Sequence, residues 1–140
     1  MPLDFPGAHV VQLEVRAADI DAYAHVNNAV YLTWLDRAAW SHSAALGLPL
    51  ERCVALRRGM AALRTEIDFV RAALAGDQVQ VATWIAAGDG RLRVGRRFQV
   101  LRVADGETLA RARTDYVCIN LDTGTSPRSP PRGADSGSSE

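Results

Sequence analysis

An α+β fold, one long helix wrapped by a curved five-stranded antiparallel sheet, is predicted by three features of the sequence. Five runs carry the two-residue alternation of strands that bury one face. Between the first and the second lies a long apolar stretch, nearly free of glycine, with the period of a helix. The last four runs are separated by short turn signals, and short turns join antiparallel neighbours.

The first run is His9 to Arg16, where His9, Val11, Leu13 and Val15 alternate with Val10, Gln12, Glu14 and Arg16. The helix should begin at Asn27 or Asn28, since Asn is a favoured N-cap, and stop at Gly47 with Pro49 beyond it. Tyr31, Leu35, Ala38, His42 and Leu46 share one face, flanked by Leu32, Trp34, Ala39 and Ala45. That arc is wide, so the helix is expected to be covered on more than one side. It would run about 28 Å, enough to cross a small sheet. Trp40 falls on the polar side, and His42 is expected as a satisfied core or interface histidine.

Leu50 to Gly59 is expected as an irregular, Arg-rich connection. In the next strand Leu63, Thr65, Ile67 and Phe69 should share a face. Gly76-Asp77 turns the chain into Val79, Val81, Thr83 and Ile85. Gly88-Asp89-Gly90 is a hairpin signal leading to Leu92, Val94, Phe98 and Val100. Asp105-Gly106 is a second, leading to Leu109 to Asn120. Residues 1–123 should form the folded domain and 124–140, rich in Pro, Ser and Gly, a disordered tail.

The chain has 140 residues, 48% hydrophobic and 23% charged, the composition of a soluble single domain. Sixteen basic residues, all Arg, balance sixteen acidic ones, so no net field would draw it to nucleic acid or anionic lipid. Cys53 and Cys118 form no CxxC pair and are expected as buried thiols in a reducing compartment. No apolar run approaches the roughly 20 residues of a membrane span. Met-Pro-Leu-Asp-Phe-Pro lacks the charged and apolar regions of a secretory signal, so a cytoplasmic location is expected.

Chemistry concentrates where the helix begins. Asp19, Asp21, His25, Asn27 and Asn28 fall within ten positions, just ahead of its apolar run. Backbone N–H groups of a first helical turn lack intrahelical partners, and with the helix dipole they can polarise a carbonyl. A carboxylate beside them, such as Asp21, can serve as general base toward water or as nucleophile. That pairing suits hydrolysis of an activated acyl group; the plainer role for such an Asp is to cap the loop or helix. His25 titrates near neutrality and is either a second acid/base group or a hydrogen-bonded loop histidine. Asn27 and Asn28 are a cap and its neighbour. Asp19, Asp21 and His25 lack a further His or Cys at ligand spacing, so neither metal nor cofactor is expected.

The run Asp-x-Asp-Ala-x-x-His-Val-Asn-Asn-x-x-Tyr-Leu-x-Trp-Leu-Asp, from Asp19 to Asp36, resembles the signature of hotdog-fold acyl-CoA thioesterases of the 4-hydroxybenzoyl-CoA thioesterase-like family. Thr65 to Phe69 with Gly76-Asp77, and Ala110 to Asn120, are similar to further segments of that family. The resemblance covers about Val10 to Thr123. It implies a dimer formed through an edge strand, often assembled into a tetramer, with active sites between subunits. It implies Asp21 as the catalytic acid and the Asn28 N–H as the group that polarises the thioester carbonyl. The plant acyl-carrier-protein branch adds His25 to the catalytic set, but has Asn where this chain has Tyr23. Ala24 stands where bacterial members usually have Gly.

Tyr23 and Asn27 are candidate substrate contacts. Arg91 and Arg93, with Arg97, Arg111 and Arg113, either hold the phosphates of coenzyme A or form a solvated outer face. Two other functions fit the same fold: a hydratase or dehydratase, and a non-catalytic acyl-CoA-binding module. The chain carries no basic patch large enough for a DNA-binding regulator.

Overall fold

The computed structural model describes residues 3–48, 50–88 and 93–124. The elements are β1 (His9–Glu14), a 3-10 turn (Ala17–Asp19), α1 (Asn28–Ala45), α2 (Leu50–Ala55), β2 (Arg58–Phe69), β3 (Gln78–Gly88), β4 (Arg93–Arg102) and β5 (Thr108–Asn120). The strands form one antiparallel sheet in the order β1-β3-β4-β5-β2. The expected α+β architecture is present. Asp89 to Leu92, at the expected β3–β4 hairpin, and the tail from residue 125 lie outside the described residues.

The helix starts and stops as its residues dictate. Asn27 is the N-cap, its side chain accepting from the Ala29 N–H, and Gly47 takes a φ of 90° after the last turn. Tyr31, Trp34, Leu35 and Ala38 are buried against Leu13, Val79, Val81, Phe98, Val100 and Leu109. These strand residues line the concave face of the sheet, the face their alternation predicts.

Four expectations need correction. Leu50–Ala55 is a short helix, α2, not an irregular link. Leu, Glu, Arg and Ala are good helix formers. Strands β2 and β3 are not neighbours: β2 is an edge strand beside β5, and β3 pairs with β1 and β4. The link between them, Val70 to Asp77, is too long for a tight hairpin and crosses the sheet at the N-terminal end of α1. There Ala73 holds the Tyr31 hydroxyl and the Val26 N–H.

A bulge between Ala62 and Arg64 breaks the alternation of β2, so Leu63 is out of phase with Thr65, Ile67 and Phe69. Lastly, the expected apolar arc of α1 is not covered throughout. Its buried face meets the sheet, Tyr31 reaching Phe69 of β2 at 5.1 Å, but Leu32 and Leu46 are 48% and 59% exposed. Met60, Leu63 and Phe69 of β2 are exposed as well.

On the convex face the N-terminal segment lies across the sheet. Phe5 stacks on Trp84 at 5.5 Å, and Asp4 pairs with Arg111 at 2.7 Å. The Asp4 N–H donates to Gln99 at 2.8 Å. This cover accounts for the burial of Gln99, a polar side chain that is 0% exposed.

Candidate active site

The polar cluster folds as a closed loop set against the start of α1. Asp19 is buried: its carboxylate accepts from the Arg16 N–H at 2.9 Å, and its carbonyl from the Asn27 N–H at 2.8 Å. Ile20 and Val26 form an isolated antiparallel bridge. The Asp21 N–H donates to the His25 carbonyl at 2.8 Å, and the Ala24 N–H to the Asp21 carbonyl at 3.1 Å. The Val26 N–H donates to Ala73 in the β2–β3 crossover at 3.1 Å, which ties the loop to the sheet. These bonds close the turn that carries Asp21, seven positions ahead of Asn28.

Within that loop the two oxygens of Asp21 are used unequally. Oδ1 accepts from the Tyr23 N–H at 2.9 Å and the His25 N–H at 3.3 Å. Oδ2 makes no hydrogen bond among the described residues. One oxygen therefore holds the group in the turn, and the other is unengaged among the described residues. To close the turn, Ala24 takes a φ of 63°, the left-handed region that favours Gly.

The first-turn donors of α1 are also used unequally. The Ala29 N–H is taken by the Asn27 side chain at 2.9 Å, and the Val30 N–H by the Asn27 carbonyl at 2.9 Å. The Asn28 N–H has no partner among the described residues. It lies at the positive end of an 18-residue helix. Such a group can receive a carbonyl or oxyanion oxygen.

A hollow of about 210 Å³ opens beside it, lined by His25, Val26, Asn28, Tyr31, Phe69, Val70, Arg71 and Ala72. Its far wall is the crossover, which sequence reasoning did not connect with the site. The contact that makes the connection, the Ala73 N–H donating to the Tyr31 hydroxyl at 3.2 Å, is long-range and leaves no periodic trace. Burial raises the Tyr31 pKa, so its hydroxyl stays protonated and available as that acceptor.

The other candidates are distributed as follows. His25 and Asn28 line the hollow, while Asp21 stands in the adjoining loop and does not. The side chain of Asn27 is occupied by its cap. Tyr23 is 83% exposed at the tip of the loop. Arg91 lies outside the described residues. Arg93 is exposed at the start of β4, seven residues from Val100, whose register line runs through Ala110 to Phe69. That is roughly 23 Å along the strand, so one chain does not bring Arg93 to the helix start. Arg111 and Arg113 are paired with Asp4 and Glu66 on the convex face. Among the described residues no group of three or more His, Cys, Asp or Glu side chains is placed to hold a metal ion. No helix among them is long and apolar enough to cross a membrane.

The chain is similar to known proteins. The model of the thioesterase-like superfamily matches residues 15–135. The long-chain acyl-CoA thioesterase FadM of Escherichia coli (strain K12) is 29% identical over 117 residues, spanning 80% of this chain and 83% of that protein. Among solved structures, a 1,4-dihydroxy-2-naphthoyl-CoA thioesterase from Synechocystis is similar with a TM-score of 0.78 at 24% identity. The match covers 89% of this chain and 90% of that one. A DHNA-CoA thioesterase from Staphylococcus aureus gives a TM-score of 0.80 at 20% identity, covering 85% and 78%. At such identities these two structures speak to the hotdog fold.

Proposed function

Because the chain belongs to the thioesterase-like superfamily, we propose that it is an acyl-CoA thioester hydrolase with Asp21 as its reacting carboxylate. The observation that carries this reading is that two groups in one short segment are unengaged among the described residues, Asp21 Oδ2 in the loop and the Asn28 N–H in the first turn of α1. A thioester carbonyl accepting from Asn28 would be polarised by that N–H and by the helix dipole. Asp21 then takes a proton from an attacking water, or attacks the carbonyl itself. Either way the C–S bond breaks, the thiolate of coenzyme A leaves, and water supplies the oxygen of the free acid. His25, at the rim of the hollow, orients the substrate or assists proton transfer.

The same reading makes the protein a homodimer formed through β2, with further assembly to a tetramer. In support, β2 has a single strand neighbour and shows Met60, Leu63 and Phe69 to solvent. An apolar edge of this length is a liability unless a second copy pairs with it. A phosphate-binding role for Arg93 then requires the copy on a partner subunit. The unpaired thiols of Cys53 and Cys118 fit a reducing, cytoplasmic setting.

The direct test is thiol release from a panel of acyl- and aroyl-CoA substrates by the purified protein. Turnover of at least one class, with no hydration of an enoyl-CoA, is expected. Tight acyl-CoA binding without thiol release would replace this reading with that of a binding module.

A further inference from the structure

A second cavity, of about 230 Å³, lies further along α1 and is walled mainly by apolar side chains, among them Trp40, Leu46, Met60 and Ile85. One cation breaks that lining. Arg96 is 8% exposed and sits in the inward row of β4 with Val94, Phe98 and Val100. It appears in none of the ion pairs among the described residues. Both of its hydrogen bonds there leave from Nη1, to His42 Nδ1 at 2.7 Å and to Thr83 Oγ1 at 3.3 Å. The N–H groups of Nε and Nη2 are left for whatever fills the cavity.

We propose that this cavity receives the far end of the acyl chain, and that Arg96 selects chains ending in a carboxylate. The inference rests on the thioesterase reading and names its substrate class. Length is the first argument. The cavity lining begins at Asp36, eight residues past Asn28, and the Arg96 contact with His42 lies fourteen residues past it. Those spacings correspond to about 12 and 21 Å along the helix axis. An acyl group held at Asn28 must therefore be a long chain to reach the guanidinium, and short aroyl groups fall short. Leu32 on α1 and Met60 on β2, both exposed, offer an apolar path between the two places.

Charge is the second argument. A buried guanidinium without a carboxylate is costly, and its desolvation pulls the Arg96 pKa down. A bound carboxylate can accept two parallel bonds from Nε and Nη2, the geometry that Arg favours. Tyr116, at the same cavity, is held as a protonated phenol by burial and adds an O–H donor. Asp36, exposed and one turn on from Leu32, also borders the cavity, and its charge acts on the Tyr116 phenol, helping to keep it protonated.

The test compares hexadecanoyl-CoA with its ω-carboxy counterpart. The wild-type protein should prefer the ω-carboxy chain in kcat/KM by about 10- to 100-fold, the range for a charged hydrogen-bonded pair. Arg96→Met should abolish that preference by lowering kcat/KM on the ω-carboxy chain by about 10- to 100-fold. Absence of the preference in wild type, or an equal loss on both substrates in the variant, would overturn the proposal. If Arg96→Met does not fold, calorimetry on the wild type decides with two non-hydrolysable CoA thioethers, hexadecyl and 15-carboxypentadecyl. Tighter binding of the carboxylated thioether by tenfold or more sustains the proposal, and equal binding refutes it. Such binding without hydrolysis of any thioester would refute the hydrolase reading alone, and hydrolysis without discrimination would refute this inference alone.

Discussion

The left-handed turn at Ala24 can be relieved by one substitution, and its size can be worked from the backbone. Ala24 holds a φ of 63°, where a Cβ approaches the following carbonyl at a cost of about 1–2 kcal/mol. Ala24→Gly removes that strain but adds about 0.4–1 kcal/mol of unfolded-chain freedom. The residue is exposed, so its methyl group contributes little packing. The balance is a net stabilisation of about 0.5–1 kcal/mol, or a rise of roughly 2–5 °C in Tm for a domain of this size. Ala24→Val should move the other way, because a branched Cβ tolerates positive φ least. Urea unfolding and thermal melts on the three proteins read both shifts. A lower midpoint for the Gly variant, or a Val variant as stable as wild type, would refute the assignment of strain to this turn.

Two other predictions follow from buried contacts. Tyr31→Phe leaves the buried Ala73 N–H without its acceptor and should cost about 1–3 kcal/mol in urea unfolding. A loss under about 0.5 kcal/mol would show that water replaces the bond. His42 has its pKa lowered, first by burial and then by Arg96 and His9. Below the ordinary value of about 6.5 the unfolded chain binds more protons at this residue than the folded one. Its contribution is therefore present above about pH 6.5 and is lost as pH falls through the folded value. Urea midpoints measured from pH 7.5 to 5 should fall less steeply in His42→Gln than in wild type, and an unchanged slope would contradict the account.

The legible parts of this fold are those written locally. Asn27 and Gly47 mark the ends of α1, and the alternation in β1 and β3 picks out Leu13, Val79 and Val81 as core. The Asp21 loop is legible as a cluster because its members lie within ten positions of one another. The hidden parts are long-range. Nothing local to Val70–Asp77 says that the chain will cross under the helix start, since that path is fixed by contacts with Tyr31 and Val26. The bulge at Leu63 shifts the face of β2 without changing its composition. Arg96 was open to detection, because it falls in phase with Val94, Phe98 and Val100. A charged residue in an apolar row was the signal, and Arg91 and Arg93 drew attention instead.

The central claim is that Asp21 performs the chemistry while the loop around it only holds it in place. Asp21→Asn tests this cleanly, since an amide oxygen can still accept from the Tyr23 and His25 N–H groups and keep the loop closed. Measured as thiol release from the best acyl-CoA substrate, kcat should fall by at least about 100-fold, the scale of a lost general base or nucleophile, with Tm nearly unchanged. Undiminished turnover by a folded Asp21→Asn protein would contradict the account.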